Sequence, residues 1–374
     1  MNEAQQLYAA MGARPVINAL GNRTLLGGSR PEPEVLEAMQ LAGRYYVDMD
    51  ELLEGSGRIV AQMLECEAAL ITPGAAAALF MGAAGCITGS DPRKIEQLPD
   101  TGGLRDEIVI QKTQRYKYDR VVRLTGARFV EAGDASGTTP DELADAIGPS
   151  TAALLYSTVE QPGNFVQIED AITIAHESGV PVIVDAAFQV YPLDGLTRYT
   201  AAGADLVAYG AKYFGAPNSS GILCGRTDRV GAARMHSFAS FEKRQILGVG
   251  RPLKIDRQEV VGVVTALRRW LDMDHDQRHA TAAGRGRRLE GALQGIDSLQ
   301  LPGDGDDETM ATLVVGIDEA ALGRSAAAVE AQLLEGNPSI WCSCGDGVLN
   351  FSMYTVVDGD EEVIATRLRE ILQV

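Results

Sequence analysis

Two residues carry the strongest chemical signal in the chain, Lys212 and Asp185. Lys212 stands in Ala208-Tyr-Gly-Ala-Lys-Tyr-Phe-Gly-Ala-Pro217, just after an apolar stretch and among small residues. An amine crowded by apolar groups has its charged form disfavoured, so it can act as a nucleophile toward an aldehyde. Asp185 ends the β-branched run Pro181-Val-Ile-Val-Asp185 and is followed by Ala186 and Ala187. A carboxylate at the end of a buried strand is poorly solvated and needs a cationic partner. Ligands of parallel sheets bind just outside the carboxyl ends of the strands, which is where this Asp would lie. Pyridoxal phosphate (PLP) requires this pair of side chains, a Lys for the Schiff base and an Asp to hold the pyridinium proton.

The cofactor's phosphate needs a third element. Thr72-Pro-Gly-Ala-Ala-Ala-Ala-Leu79 places a Gly turn before a small-residue helix. Free N–H groups at a helix start point at an anion, and the lack of bulk at Gly74, Ala75 and Ala76 lets one approach. Alone, such a stretch reads as ordinary packing; in order with Asp185 and Lys212 it reads as a phosphate site. Blander readings exist for each residue: a strand-end Asp that caps a turn, a surface-loop Lys. Other candidates are weaker. His275 and His279 stand four apart, as metal ligands can, but read as a solvated charged helix face. His176 at a helix end suits the macrodipole. Cys342-Ser-Cys344 has no second pair to complete a zinc site, and the spacing of the acidic loop 301–308 does not suit calcium. No metal is expected.

The elements that must position these residues alternate. Strands are expected at 67–71, 107–110, 127–131, 151–156, 181–185, 205–209 and 221–225, with helices at 75–88 and at 168–178, the latter ended by Gly179. This repetition predicts a mostly parallel, seven-stranded α/β sheet with helices on both faces. A long helix starts at Asp256, where Glu259 completes a capping pattern. Beyond it, strands at 312–317, 339–341 and 348–352, a helix near 321–335 and a final helix from Glu361 read as a small α+β unit. The expected division is an N-terminal arm (1–45), a large PLP-binding domain (46–250), a connecting helix (251–285) and a small C-terminal domain (286–374).

Composition limits the partners. The 374 residues carry a formal net charge of −18. Such a surface repels phosphate backbones and anionic membranes, so neither nucleic acid nor membrane is expected as a partner. No apolar run approaches the ~20 residues of a spanning helix, and the first residues lack a secretory signal. The five cysteines read as reduced thiols of a cytoplasmic protein.

With these motifs in place, the sequence resembles fold-type-I PLP enzymes of the selenocysteine-synthase-like group, which includes L-seryl-tRNA(Sec) selenium transferases and D-glucosaminate-6-phosphate ammonia-lyase-type proteins. The likeness spans about residues 10–374. It is carried by Arg14-Pro-Val-Ile-Asn-Ala19, Val47-Asp-Met-Asp-Glu-Leu52, Glu67 to Ala77, Val180 to Ala187, the Lys212 loop through Arg226, and Gly250-Arg-Pro-Leu-Lys-Ile255. The resemblance implies a Schiff base on Lys212, ring-nitrogen contact by Asp185, phosphate contacts near Gly74, Ala75 and Ala76, and further cofactor contacts at Gln114 and Ala187. It implies a homodimer or larger homo-oligomer, and places Arg251 and Lys254 close to the site, where helix-entry salt bridges are the plain alternative. Three departures stand out. Tyr209 replaces a Ser that helps hold the phosphate. Gln114 replaces a His that stacks on the ring, upstream of Tyr118 and Asp119. Trp341-Cys-Ser-Cys344 stands where relatives often carry an Arg, and Arg23 or Tyr118 could contact substrate instead.

The chemistry that follows begins at a substrate α-carbon, with the freed Lys212 amine as base. The expected activity is α,β-elimination, with ammonia released, on a small amino acid or amino-sugar acid. Racemisation or epimerisation and transamination use the same residues. Selenium transfer to a seryl-tRNA is opposed by the charge, and no tRNA-binding domain is expected ahead of Arg14. A PLP-fold protein without activity is opposed by the presence of both Lys212 and Asp185.

Overall fold

The structure is a computed structural model that describes residues 3–159, 163–303 and 305–372. Of the acidic loop at 301–308, Asp304 lies outside these. The chain divides into two compact units, Ser29–Asp272 and a smaller one built from Met1–Gly28 with Met273–Val374. The first strand, β1 (Val16–Asn18), belongs to the smaller unit.

The larger unit is organised by seven strands: β2 (Ala68–Thr72), β3 (Glu107–Gln111), β4 (Arg128–Ala132), β5 (Thr151–Ser157), β6 (Val182–Asp185), β7 (Leu206–Gly210) and β8 (Gly221–Gly225). Their order across the sheet is β2-β8-β7-β6-β5-β3-β4. β8 runs antiparallel to both its neighbours, and all other pairings are parallel. Every residue of β5, β6, β7 and β8 is buried. That explains why these segments read as continuous apolar runs rather than alternating ones. The helix Ala75–Thr88 lies against β5 to β8 and buries Ala77 to Gly85 almost without interruption. Its Ala and Gly residues let helix and sheet backbones approach closely.

The expected helix from Asp256 spans Arg257–Leu271, and the Glu259 carboxylate accepts the Asp256 N–H at 3.2 Å, the reach-back half of a capping box. A second helix, His275–Leu293, follows after a break at Asp272–Asp274 and lies in the smaller unit.

The smaller unit carries β9 (Leu299–Gln300), β10 (Thr312–Ile317), β11 (Ser339–Trp341), β12 (Ser343–Gly345) and β13 (Val348–Ser352). β12-β13-β10-β9 form an antiparallel sheet, while β11 pairs in parallel with β1. The N-terminal segment is therefore tied by a strand to the C-terminal part of the chain. The helices Ala326–Glu335 and Asp360–Leu372 complete the unit, whose core includes Leu313, Val315, Ile340, Leu349 and Phe351. His279 is not a solvated helix residue here: its Nδ1 meets the Tyr354 hydroxyl at 2.6 Å, and His275 is buried.

Candidate active site

Parallel strands bring their carboxyl ends to one edge of the sheet, and the candidate residues gather there. Ser157 of β5, Asp185 of β6 and Ala208 of β7 lie side by side in register. Two residues past Ala208, Gly210 pairs with Gly221, and Gly221 pairs with Thr72. The end of β2, the start of β8 and the end of β7 thus meet at the same edge. Lys212 follows directly in a short 3-10 turn, Ala211–Phe214. That turn is closed by backbone bonds from Ala211 N–H to the Ser220 carbonyl and from Ala216 N–H to the Ala211 carbonyl, 3.0 and 3.1 Å. Lys212 is half-buried, with Nζ 5.0 Å from the centre of the Tyr213 ring.

The helix Ala75–Thr88 starts at this edge. Gly74 precedes it with φ +92°, a conformation L side chains rarely adopt. The first intrahelical bond is Ala78 N–H to the Gly74 carbonyl, 3.1 Å, so the N–H groups of Ala75, Ala76 and Ala77 point out of the helix start. Gly221 approaches so closely that a Cβ there would lie 2.5 Å from Gly74 C and 2.6 Å from Ala75 N. Only glycine permits that approach.

Asp185 is 5% exposed. The backbone N–H of Ala187 donates to its Oδ1 at 3.1 Å, and the Tyr116 hydroxyl donates to its Oδ2. Burial raises the Asp185 pKa; the bonds from Tyr116 and Ala187 oppose that rise. Burial, and then the Asp185 charge, push the Tyr116 phenol up, so it stays a neutral donor.

Tyr116 is the residue that sequence reasoning missed. It sits between Gln114 and Tyr118, both noted in that stretch. A signal was present: Arg115 and Asp119 stand four apart with opposite charge and form an ion pair that folds the turn between them. Tyr116 N–H donates to the same Asp119 carboxylate, at 3.2 Å.

Gln114 is buried, and its Nε2 donates to the Ser157 carbonyl at 3.1 Å, one strand from Asp185. The Tyr209 hydroxyl is used by the core, donating to the Gly195 carbonyl at 3.0 Å. Tyr118 is exposed and lies edge-on to the Tyr116 ring. Arg251 pairs with Glu242 at 2.6 Å, and Lys254 is exposed. Arg23 belongs to the smaller unit and is exposed. The structure thus gathers Gly74, Ala75, Ala76, Asp185, Ala187 and Lys212 at one sheet edge, with Gln114 one strand away. Among the described residues no cluster of His, Cys, Asp or Glu could hold a metal.

A Lys after one strand, a buried Asp at the end of its neighbour and a helix start open to an anion are the arrangement that a fold-type-I PLP site requires. Residues 111–335 match the aminotransferase class-V family, and the chain belongs to that family. The chain is 35% identical to a 5'-C-glycyluridine monooxygenase-decarboxylase of a Streptomyces species, over 98% of this chain and 92% of that one. It is 32% identical to D-glucosaminate-6-phosphate ammonia lyase of Salmonella typhimurium, over 98% of each chain. A solved structure of D-glucosaminate-6-phosphate ammonia-lyase superposes with a TM-score of 0.87 at 31% identity, covering 98% of both chains. A NifS-like protein shares the fold, with a TM-score of 0.59 at 15% identity. The protein is a PLP-dependent enzyme. The Gly74–Gly221 approach, the outward N–H groups and the buried Asp185 fit the cofactor's phosphate and ring nitrogen.

Proposed function

We propose that this enzyme is a lyase that removes a β-substituent and the amino group from a small amino acid or amino-sugar acid. The observation that carries the reading is the full-length likeness to D-glucosaminate-6-phosphate ammonia lyase in both sequence and fold. When bound, PLP supplies an electron sink for a bond broken at the substrate α-carbon. The chain's own residues do the rest. The N–H groups of Ala75 to Ala77 hold the phosphate. Asp185 would hold the ring-nitrogen proton, and Ala187 and Gln114 would contact the cofactor. Lys212 would hold the cofactor as a Schiff base, and its Nζ, when free, would be the base that takes the α-proton. Tyr118, Arg251, Lys254 and Arg23 are the candidates for contact with the substrate's polar groups.

The monooxygenase-decarboxylase relative favours a second reading, loss of the α-carboxylate with oxygen as co-substrate. Neither of these two relatives is named as a racemase or aminotransferase. The deciding experiment is a panel of amino acids and amino-sugar acids incubated with the PLP-loaded enzyme, with and without oxygen. Keto acid and ammonia formed without oxygen and without an amino acceptor support the lyase. Strict dependence on oxygen with release of carbon dioxide supports the second reading, and strict dependence on a 2-oxo acid makes the enzyme an aminotransferase.

The enzyme is read as a homodimer. That is supported by the aromatic and apolar surface of Leu36, Leu41, Tyr45 and Tyr46 in the larger unit, where Tyr46 is 96% exposed. A cytoplasmic setting is supported by five free cysteines. No helix among the described residues is long and apolar enough to cross a membrane. The larger unit is read as the cofactor domain.

A further inference from the structure

We propose that Tyr116 is a positioning residue of this site, its phenol holding Oδ2 of Asp185 so that the carboxylate stays charged and fixed for the cofactor's ring nitrogen. This rests on the PLP reading above. A buried carboxylate with no donor tends to protonate, and a protonated Asp185 would no longer carry the negative charge that balances a protonated ring nitrogen. Two neutral donors reach it, Ala187 N–H on Oδ1 and the Tyr116 hydroxyl on Oδ2. A carboxylate has about four acceptor positions, so both donors leave room for a third.

The placement of the phenol is built rather than incidental. Tyr116 lies on a turn between the 3-10 segments Lys112–Gln114 and Asp119–Thr125. That turn is pinned by Arg115, which pairs with both Asp119 and Glu131 and lies 4.5 Å over the Phe129 ring. Asp119 is itself 1% exposed and also accepts the Tyr116 N–H. The titratable side chain bonded to Asp185 is Tyr116, behind it stand Asp119, then Arg115 and Glu131, and Lys212 follows the adjacent strand at the same sheet edge. The strand neighbours Ser157 and Ala208 bring no charge.

The test follows the Asp185 carboxyl directly. In cofactor-free protein labelled with carbon-13 at Asp carboxyls, the Asp185 signal is the one lost in Asp185→Asn. Tyr116→Phe raises its titration midpoint by about one to two pH units, the size expected for losing a hydrogen bond to a charged group. Fluorotyrosine incorporated at Tyr116 keeps the shape, makes the phenol a stronger donor and lowers the midpoint; it also serves if the Phe variant does not fold. Tyr118→Phe leaves it unmoved. In the loaded enzyme, the nitrogen-15 signal of labelled PLP moves toward the unprotonated ring in Tyr116→Phe, between about pH 6 and 9. An unchanged carboxyl midpoint in the Phe or fluorotyrosine protein, or an unchanged ring-nitrogen signal, overturns the proposal. A chain that takes up no PLP sinks the functional reading instead, and the carboxyl titration still tests Tyr116.

Discussion

Asp185 ends β6 and Asp205 stands just before the adjacent strand β7; both are nearly fully buried, yet they sit in opposite circumstances. Asp205 lies at the amino edge, just before β7. Its Oδ2 accepts from His176 Nε2 and from Val182 N–H, each at 2.8 Å, and Arg226 Nε stands 3.6 Å from Oδ1. Asp185 lies at the carboxyl edge, where its donors are a phenol and a backbone amide, and burial raises its pKa. The amino edge closes on its carboxylate with folded protein. The carboxyl edge leaves its carboxylate short of positive charge, which a protonated ring nitrogen can supply. Burial alone does not mark a functional acid; the partners decide.

The comparison can be broken most severely at Lys212. Lys212→Ala should abolish the visible absorption of bound PLP and lower kcat at least about 10²–10⁴-fold, the range for losing a positioned base. A variant that keeps both the band and the activity removes Lys212 from the site. The two aspartates come next and should separate cleanly. Asp185→Asn is expected to lower kcat about 10²–10³-fold, as for a lost electrostatic contact in a site, with no loss of thermal stability at neutral pH. Asp205→Asn is expected to cost about 1–3 kcal/mol of stability, because one oxygen becomes an NH2 donor facing other donors and the carboxylate charge is lost, with kcat per folded molecule unchanged. Chemical denaturation and steady-state kinetics on both variants check this, and similar profiles for the two would erase the distinction drawn here.

The smallest effect is in the pH dependence of the cofactor-free protein. The folded-state pKa of Asp185 is raised above its unfolded value of 3.8, so the folded state binds the proton more tightly. Below the unfolded value both states are protonated and there is no penalty. As pH rises through the folded value, stability is lost. Asp185→Asn lacks this term, so its Tm should gain on the wild type as pH rises from the ordinary carboxylate range toward neutrality. A difference in Tm that does not vary with pH would contradict the raised pKa.

Much of this was legible in the sequence because its causes are local. Continuous β-branched runs such as Val182–Asp185 mark strands buried on both faces, and the seven strands of the large sheet were each located within a residue or two. Lys212, Asp185 and the Gly74 turn were found as residue types with a shared chemical purpose. Short or distant pairings were not legible. β1 is three residues long and is stabilised by pairing with β11, more than 300 positions away. No periodicity can report such a partner. Tyr116 was overlooked because a Tyr in a loop carries no signal until a fold brings Asp185 to it.

By itself, then, the sequence determined the type of sheet and marked a candidate amine, acid and glycine turn, since hydrophobic patterning and side-chain chemistry act over a few residues. Only the tertiary structure decided which groups those residues meet. Strand order set Gly221 against Gly74 and placed Tyr116 on Asp185. It closed Asp205 with His176 and Arg226, and turned the Tyr209 hydroxyl toward Gly195 in the core. The physical reason is that hydrogen bonds and desolvation depend on ångström-scale distances between segments far apart in the chain. Those distances are fixed by packing the whole sheet.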